Sequence, residues 1–99
     1  MIDMVRGALV SLSPVSAVVA TASGLSFQII CHRRFPASLP EPGNDVGIFT
    51  SLIFTQGEPA LYGFLDETER RYFSILQTVS GIGPKLAHSI VGAFETDAL

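Results

Sequence analysis

Residues 76–91 read Leu76-Gln77-Thr78-Val79-Ser80-Gly81-Ile82-Gly83-Pro84-Lys85-Leu86-Ala87-His88-Ser89-Ile90-Val91. Leu76 and Val79 fall on one face of a helix, and Ala87, Ile90 and Val91 fall on one face of a second. The turn between them has a physical reason at each position. Gly81 and Gly83 permit positive φ and place no Cβ in the way of an approaching backbone. Ile82, between them, can plug the gap between the helices. Pro84 suits the first turn of a helix, where its missing N–H has no partner to lose. The free amides there, with the positive end of the helix dipole, form an anion site fit for a phosphate. Lys85 adds a point charge beside it. Contacts of this kind hold a sugar-phosphate backbone and carry no base information.

The spacing is that of a helix-hairpin-helix DNA-binding motif. Working outward, Asp66 with Glu69 predicts a capped helix start. Tyr72, Ile75, Leu76 and Val79 follow at helical spacing, with Tyr72 and Phe73 as packing residues. Leu86, Ala87, Ile90, Val91 and Phe94 line the second helix. His88 falls opposite Ile90 and is expected to be exposed. Thr96 is a candidate cap for a third helix. Asp66, Glu67 and Glu69 read as a helix N-terminus rather than as an acid-base group.

Before Leu65 the period is that of strands. Residues 3–12 and 15–22 are separated by Ser13-Pro14, a turn signal. Leu25, Phe27 and Ile29 alternate and predict a shared strand face. Residues 33–45 carry Pro36, Pro40, Pro42 and Gly43 and read as a connection with a short helical turn. Residues 46–55 are rich in β-formers, Gln56-Gly57-Glu58-Pro59 reads as a hairpin turn, and residues 60–64 form a final strand. Five short strands predict a small antiparallel barrel. Phe27, Phe49, Phe54 and Phe64 could offer a stacking platform for bases, but their strand spacing favours the core. Strands followed by helices imply two units with a boundary near Leu65.

Composition narrows the function classes. The 99 residues are 47% hydrophobic and only 15% charged, with a mean hydropathy of +0.44. Such an apolar chain suggests a surface covered by a partner. A net charge of −3 excludes a bulk polyelectrolyte binder, so DNA binding must be local. Cys31 is the single cysteine, which excludes an internal disulfide and fits a reducing compartment. His32 and His88 lack metal-ligand spacing, and no metal or other cofactor is expected. An apolar stretch from Ala8 to Val19, ahead of Ala20-Thr21-Ala22, has the outline of a signal peptide. Asp3 in the would-be basic region, and breaks at Ser11, Ser13, Pro14 and Ser16, argue against it and against a membrane span.

The chain resembles the N-terminal half of the RuvA family of bacterial Holliday-junction branch-migration proteins. The residues that carry the likeness are Met1-Ile2, Arg6-Gly7, Ser23-Gly24-Leu25-Ser26-Phe27, residues 39–43, Leu61-Tyr62-Gly63-Phe64 and residues 81–87. The resemblance implies an all-β, oligonucleotide-binding (OB-fold) five-stranded barrel at residues 1–64. Residues 65–99 would then begin a helical DNA-binding domain. It also implies a cytoplasmic homotetramer that holds four-way junction DNA open and acts with RuvB, a hexameric ATPase motor. That role is non-catalytic, and no phosphate-binding Gly-Lys-Ser/Thr loop occurs. The DNA contacts carried over are Gly81, Ile82, Gly83, Pro84 and Lys85.

Three departures stand out. Only one hairpin precedes Leu99, so the sequence reads as a piece of a longer device, without the second hairpin or the motor-binding domain. The family's acidic pin, usually two adjacent acids, is reduced to Glu58 after Gly57, which weakens its repulsion of phosphates. Ser26 stands where the family has glycine. Arg33-Arg34 reads as a solvated loop pair rather than a DNA contact. Two other function classes fit parts of the sequence. A DNA-repair enzyme fragment would share the hairpin but needs a catalytic Asp or Lys, and none is evident. A small secreted β-domain would need the signal peptide.

Overall fold

The computed structural model describes residues 2–94. Five strands run Met4–Leu12 (β1), Ser16–Ala20 (β2), Ser26–Ile30 (β3), Asp45–Thr55 (β4) and Glu58–Phe64 (β5). Three helices run Phe35–Ser38 (α1), Glu67–Leu76 (α2) and Pro84–Ala93 (α3). The strands close into a barrel in the order β1-β2-β3-β5-β4, with β4 pairing back to β1. The barrel is not wholly antiparallel as its sequence suggested. β3 and β5 run parallel, joined only through Ile29–Leu61 and Ile30–Tyr62. β5 returns from the β4 hairpin in the direction of β3, so the closing pair must be parallel.

Alternation along the strands sets the barrel core. Val5, Leu9, Ala17, Val19, Ile29, Val46, Ile48 and Leu61 are buried together, with Phe35 of α1 plugging the interior. Thr50 is buried among them because its hydroxyl donates to the Ile2 carbonyl at 2.7 Å. The β4–β5 turn is tighter than predicted. Within this turn Gln56 and Gly57 take positive φ, 54° and 81°, the backbone of a two-residue hairpin turn. Glu58 and Pro59 are already strand residues, opposite Thr55 and Phe54. Of the four phenylalanines, Phe64 is fully buried and Phe27 and Phe49 are half-buried. Phe54, expected in the core, is 61% exposed beside the turn.

A second core joins the helices to the barrel. Tyr62 and Phe64 of β5 pack with Phe73 of α2 and with Ala87 and Val91 of α3. The Phe64 and Phe73 rings lie 4.9 Å apart. β5 therefore serves both cores, which explains Gly63: a Cβ there would lie 2.6 Å from Ile29 Cγ2 and 3.2 Å from Ile48 Cγ2. Gly63→Ala is expected to lower the unfolding free energy by about 1–3 kcal/mol through overpacking. A shifted urea midpoint measures it, and an unchanged midpoint would show that the core yields freely.

Candidate nucleic-acid interface

The helical hairpin begins at a well-made cap. Asp66 is the N-cap of α2, and its carboxylate accepts from the Glu69 amide at 2.8 Å. The helix stops at Leu76, before Val79, so the predicted helical face is shorter than its sequence suggested. Ile75 and Val79 are 54% and 48% exposed. The amides of Thr78, Val79 and Ile82 bond back to Ile75, Leu76 and Val79 in successive tight turns. Gly81 carries φ +88°, which a side chain would strain. Gly83 does not use that freedom: it is extended at φ −86°, ψ 179°. What it supplies is open space, since nothing lies within 4 Å of where its Cβ would be. Ile82 packs against the second core, in the gap between the helices.

Gly83 is the N-cap of α3, with no side chain capping it, and Pro84 opens the first turn. The amides of Lys85 and Leu86 thus have no intrahelical partner. They lie at the positive end of a ten-residue helix. The Lys85 side chain is exposed and makes no hydrogen bond or ion pair among the described residues. Gly83, Pro84 and Lys85 form one wall of a cleft of about 660 Å³, with Thr55, Glu58 and Pro59 of the β4–β5 hairpin facing them. The fold therefore brings Glu58 and the α3 N-terminus to one place. Gly81 stands at the exposed turn outside that cleft.

The residues that aim α3 are largely ones whose role the sequence hid. Glu69 is 1% exposed yet charged. Its carboxylate accepts from His32 Nε2 at 2.8 Å, from the Leu65 amide at 2.8 Å and from Arg34 Nη2. Burial pushes this carboxyl up, but the bonds from His32, Leu65 and Arg34 outweigh it and hold it below the ordinary range. Arg34 goes on to donate to the Val91 and Gly92 carbonyls at 3.0 and 3.1 Å, and Arg33 donates to Ala93 at 3.1 Å. Two guanidiniums thus cap the negative end of α3. The expectation of a solvated arginine pair is corrected: Arg34 is committed to an ion pair, and Arg33 is exposed but tied to the helix end.

His88 is a second correction. It is 5% exposed, not solvent-facing. Its Nε2 donates to the Gly63 carbonyl at 2.9 Å, and burial pulls its pKa down to about 4. α3 is clasped between β5 and α2, so its buried arc takes in Ala87, His88, Val91 and Gly92. Gly92 permits the clasp, since a Cβ there would lie 2.4 Å from His32 Cβ. Leu86 and Phe94, predicted to line the helix, are 51% and 50% exposed. Cys31 is buried and unbonded to another cysteine, its thiol pushed up to about 12 by desolvation. Among the described residues no three potential metal ligands meet, and no helix is long and apolar enough to cross a membrane. Thr96 lies outside the described residues.

A closed five-stranded barrel with a helical hairpin clasped to its last strand is an OB-fold protein with a helix-hairpin-helix extension. Residues 1–63 match the RuvA N terminal domain, and the chain belongs to that family. Over 99 residues it is 38% identical to the Holliday junction branch migration complex subunit RuvA of Desulforudis audaxviator, covering all of this chain and 48% of that protein. The Streptomyces avermitilis subunit of the same name is 37% identical over 99 residues, with 48% of it covered. That of Xylella fastidiosa strain M23 is 39% identical over 97 residues, 98% of this chain and 50% of that protein. The chain spans about half the length of the curated relatives it matches.

Proposed function

We propose that this chain is a scaffold subunit that binds four-way junction DNA for branch migration in recombination and repair. The observation that carries the reading is the α3 N-terminus: uncapped amides, a Lys85 with no partner among the described residues and no Cβ at Gly83, on a barrel of the RuvA family. Gly81 through Lys85 form the phosphate contact. Gly81 turns the chain, Ile82 anchors the turn, Gly83 and Pro84 open the helix, and Lys85 supplies the charge. Glu58 is the acidic pin, standing across the cleft and repelling phosphates on that side. Residues 1–64 are the barrel unit and 65–99 the start of the DNA-binding unit, supported by the end of β5 at Phe64 and the cap of α2 at Asp66.

The names of the relatives support membership of a branch-migration complex. Within it the subunit forms a homotetramer in the cytoplasm and serves a RuvB-type hexameric ATPase, itself hydrolysing nothing. The exposed Ile75, Val79 and Leu86 on the helical hairpin fit such an assembly. Lys85→Glu is expected to weaken binding to a four-way junction about tenfold at fixed salt, with the thermal midpoint unchanged. Gel shifts on junction and linear duplex measure it. Equal junction affinity in the variant would refute the phosphate contact.

A further inference from the structure

The chain has six Lys and Arg residues. Arg34 and Arg70 are consumed in ion pairs, with Glu69 and with Asp3 and Glu67. Of the other four, two converge. Arg33 and Lys85 line one cleft of about 530 Å³, while Glu58 lines the adjoining cleft that shares Lys85. Ser89, one helical turn beyond Lys85, faces it as well, and Pro14 and Val15 of the β1–β2 loop close it. Among the described residues no Asp or Glu lines this cleft. Val15 is 69% exposed there, an apolar edge beside two cations. The two clefts share Ile30, Tyr62 and Lys85 in their walls, so they adjoin.

We propose that the cleft between Arg33 and Lys85 is a second phosphate seat, formed where the barrel meets the hairpin. It takes a phosphodiester group of the strand held by the α3 amides. The inference rests on the DNA-binding reading above. Its physical basis is the asymmetry across Lys85. On one flank Glu58 repels phosphate, and on the other Arg33 attracts it, so the backbone leaves the helix N-terminus toward the β1–β2 loop. Arg33 spends one N–H on the Ala93 carbonyl. Its planar fork keeps further donors for a phosphate, and the Ser89 hydroxyl adds a neutral one. A chain with a net charge of −3 gains most from the few cations it places together.

The test is the salt dependence of junction affinity for the full chain and for Arg33→Ala, Arg33→Lys, Lys85→Ala and Arg71→Ala. Arg71 is an exposed cation of α2 that does not line the cleft. Arg33→Ala is expected to weaken binding about fivefold to tenfold near 0.1 M salt and to reduce the log–log salt slope by about 0.9, one phosphate contact. Arg33→Lys should restore most of the slope. A thermal scan of each variant separates this from the Ala93 cap, since a purely structural role lowers the midpoint and leaves the slope intact. An unchanged slope in Arg33→Ala, with Lys85→Ala still impaired, overturns the second seat and spares the DNA-binding reading. An equal loss in Arg71→Ala overturns it too, by showing a general charge effect. Failure of the unaltered chain to bind junctions or duplex overturns both.

Discussion

Glu69→Ala will lower the unfolding free energy by about 3–5 kcal/mol, the usual cost of stranding one half of a buried ion pair. Three donors converge on this carboxylate, from His32, Leu65 and Arg34, and the alanine leaves all three facing a void. The Arg34 charge, only 23% exposed, loses its counter-ion. Arg34 also holds the end of α3, so the damage reaches the second core. Replacing the network by apolar residues in one step, with His32→Leu, Arg34→Met and Glu69→Leu together, should cost less than the single change, because no charge is then left unpaired. Urea unfolding of both variants decides the matter. A loss below about 1 kcal/mol for Glu69→Ala would mean that water replaces the carboxylate and that the pair contributes little.

Acid will destabilise the protein beginning near pH 6.5, well above the carboxylate range. In the folded state His88 titrates at about 4, against an ordinary value of 6.5. Desolvation is the main cause, reinforced by His32. The bond to the Gly63 carbonyl and the charge of Glu69 pull the other way. Between these two values the unfolded chain binds the extra proton, so stability falls as pH falls through the window. A separation of about 2.5 pH units corresponds to roughly 3 kcal/mol, complete below pH 4. Glu69 adds to the loss at lower pH, because its carboxyl is depressed and its bonds vanish on protonation. Urea midpoints from pH 7.5 to 4 measure the effect. His88→Gln keeps a donor for the Gly63 carbonyl and removes the titration, so its profile should be flat from 6.5 to about 4.5. The same slope in that variant would assign the effect elsewhere.

Most of the barrel was legible because its strands have one wet face, and alternation marks the dry one: Val5 and Leu9, Ala17 and Val19, Val46 and Ile48. The α2 cap and the Gly81 turn were legible because their partners lie within four residues. The hidden features were non-local. The partners of Arg34 lie 35, 57 and 58 residues away, and no periodicity encodes such distances. The sequence hides the burial of His88 because an apolar stripe counts neither histidine nor glycine. A helix held on two sides buries a wider arc than its apolar residues mark. One signal did exist. Glu69 stands four residues before Phe73 and seven before Leu76, on the face that packs. A carboxylate on such a face needs a buried cation. Its position as a capping partner masked that need, although its side chain bonds to the Leu65 amide and to the barrel rather than to the cap residue.

The clasp on α3 also bears on how fast and how tightly a ligand is taken up. The guanidiniums of Arg33 and Arg34 hold the C-terminal carbonyls, and Glu69 pins Arg34 in turn, so the helix cannot pivot on the barrel without breaking these bonds. The amides of its first turn are therefore aimed before any anion arrives. Little conformational entropy is lost on association, and a loose hairpin of the same sequence would forfeit that advantage. For a chain with so few cations, such preorganisation compensates for charge that it lacks.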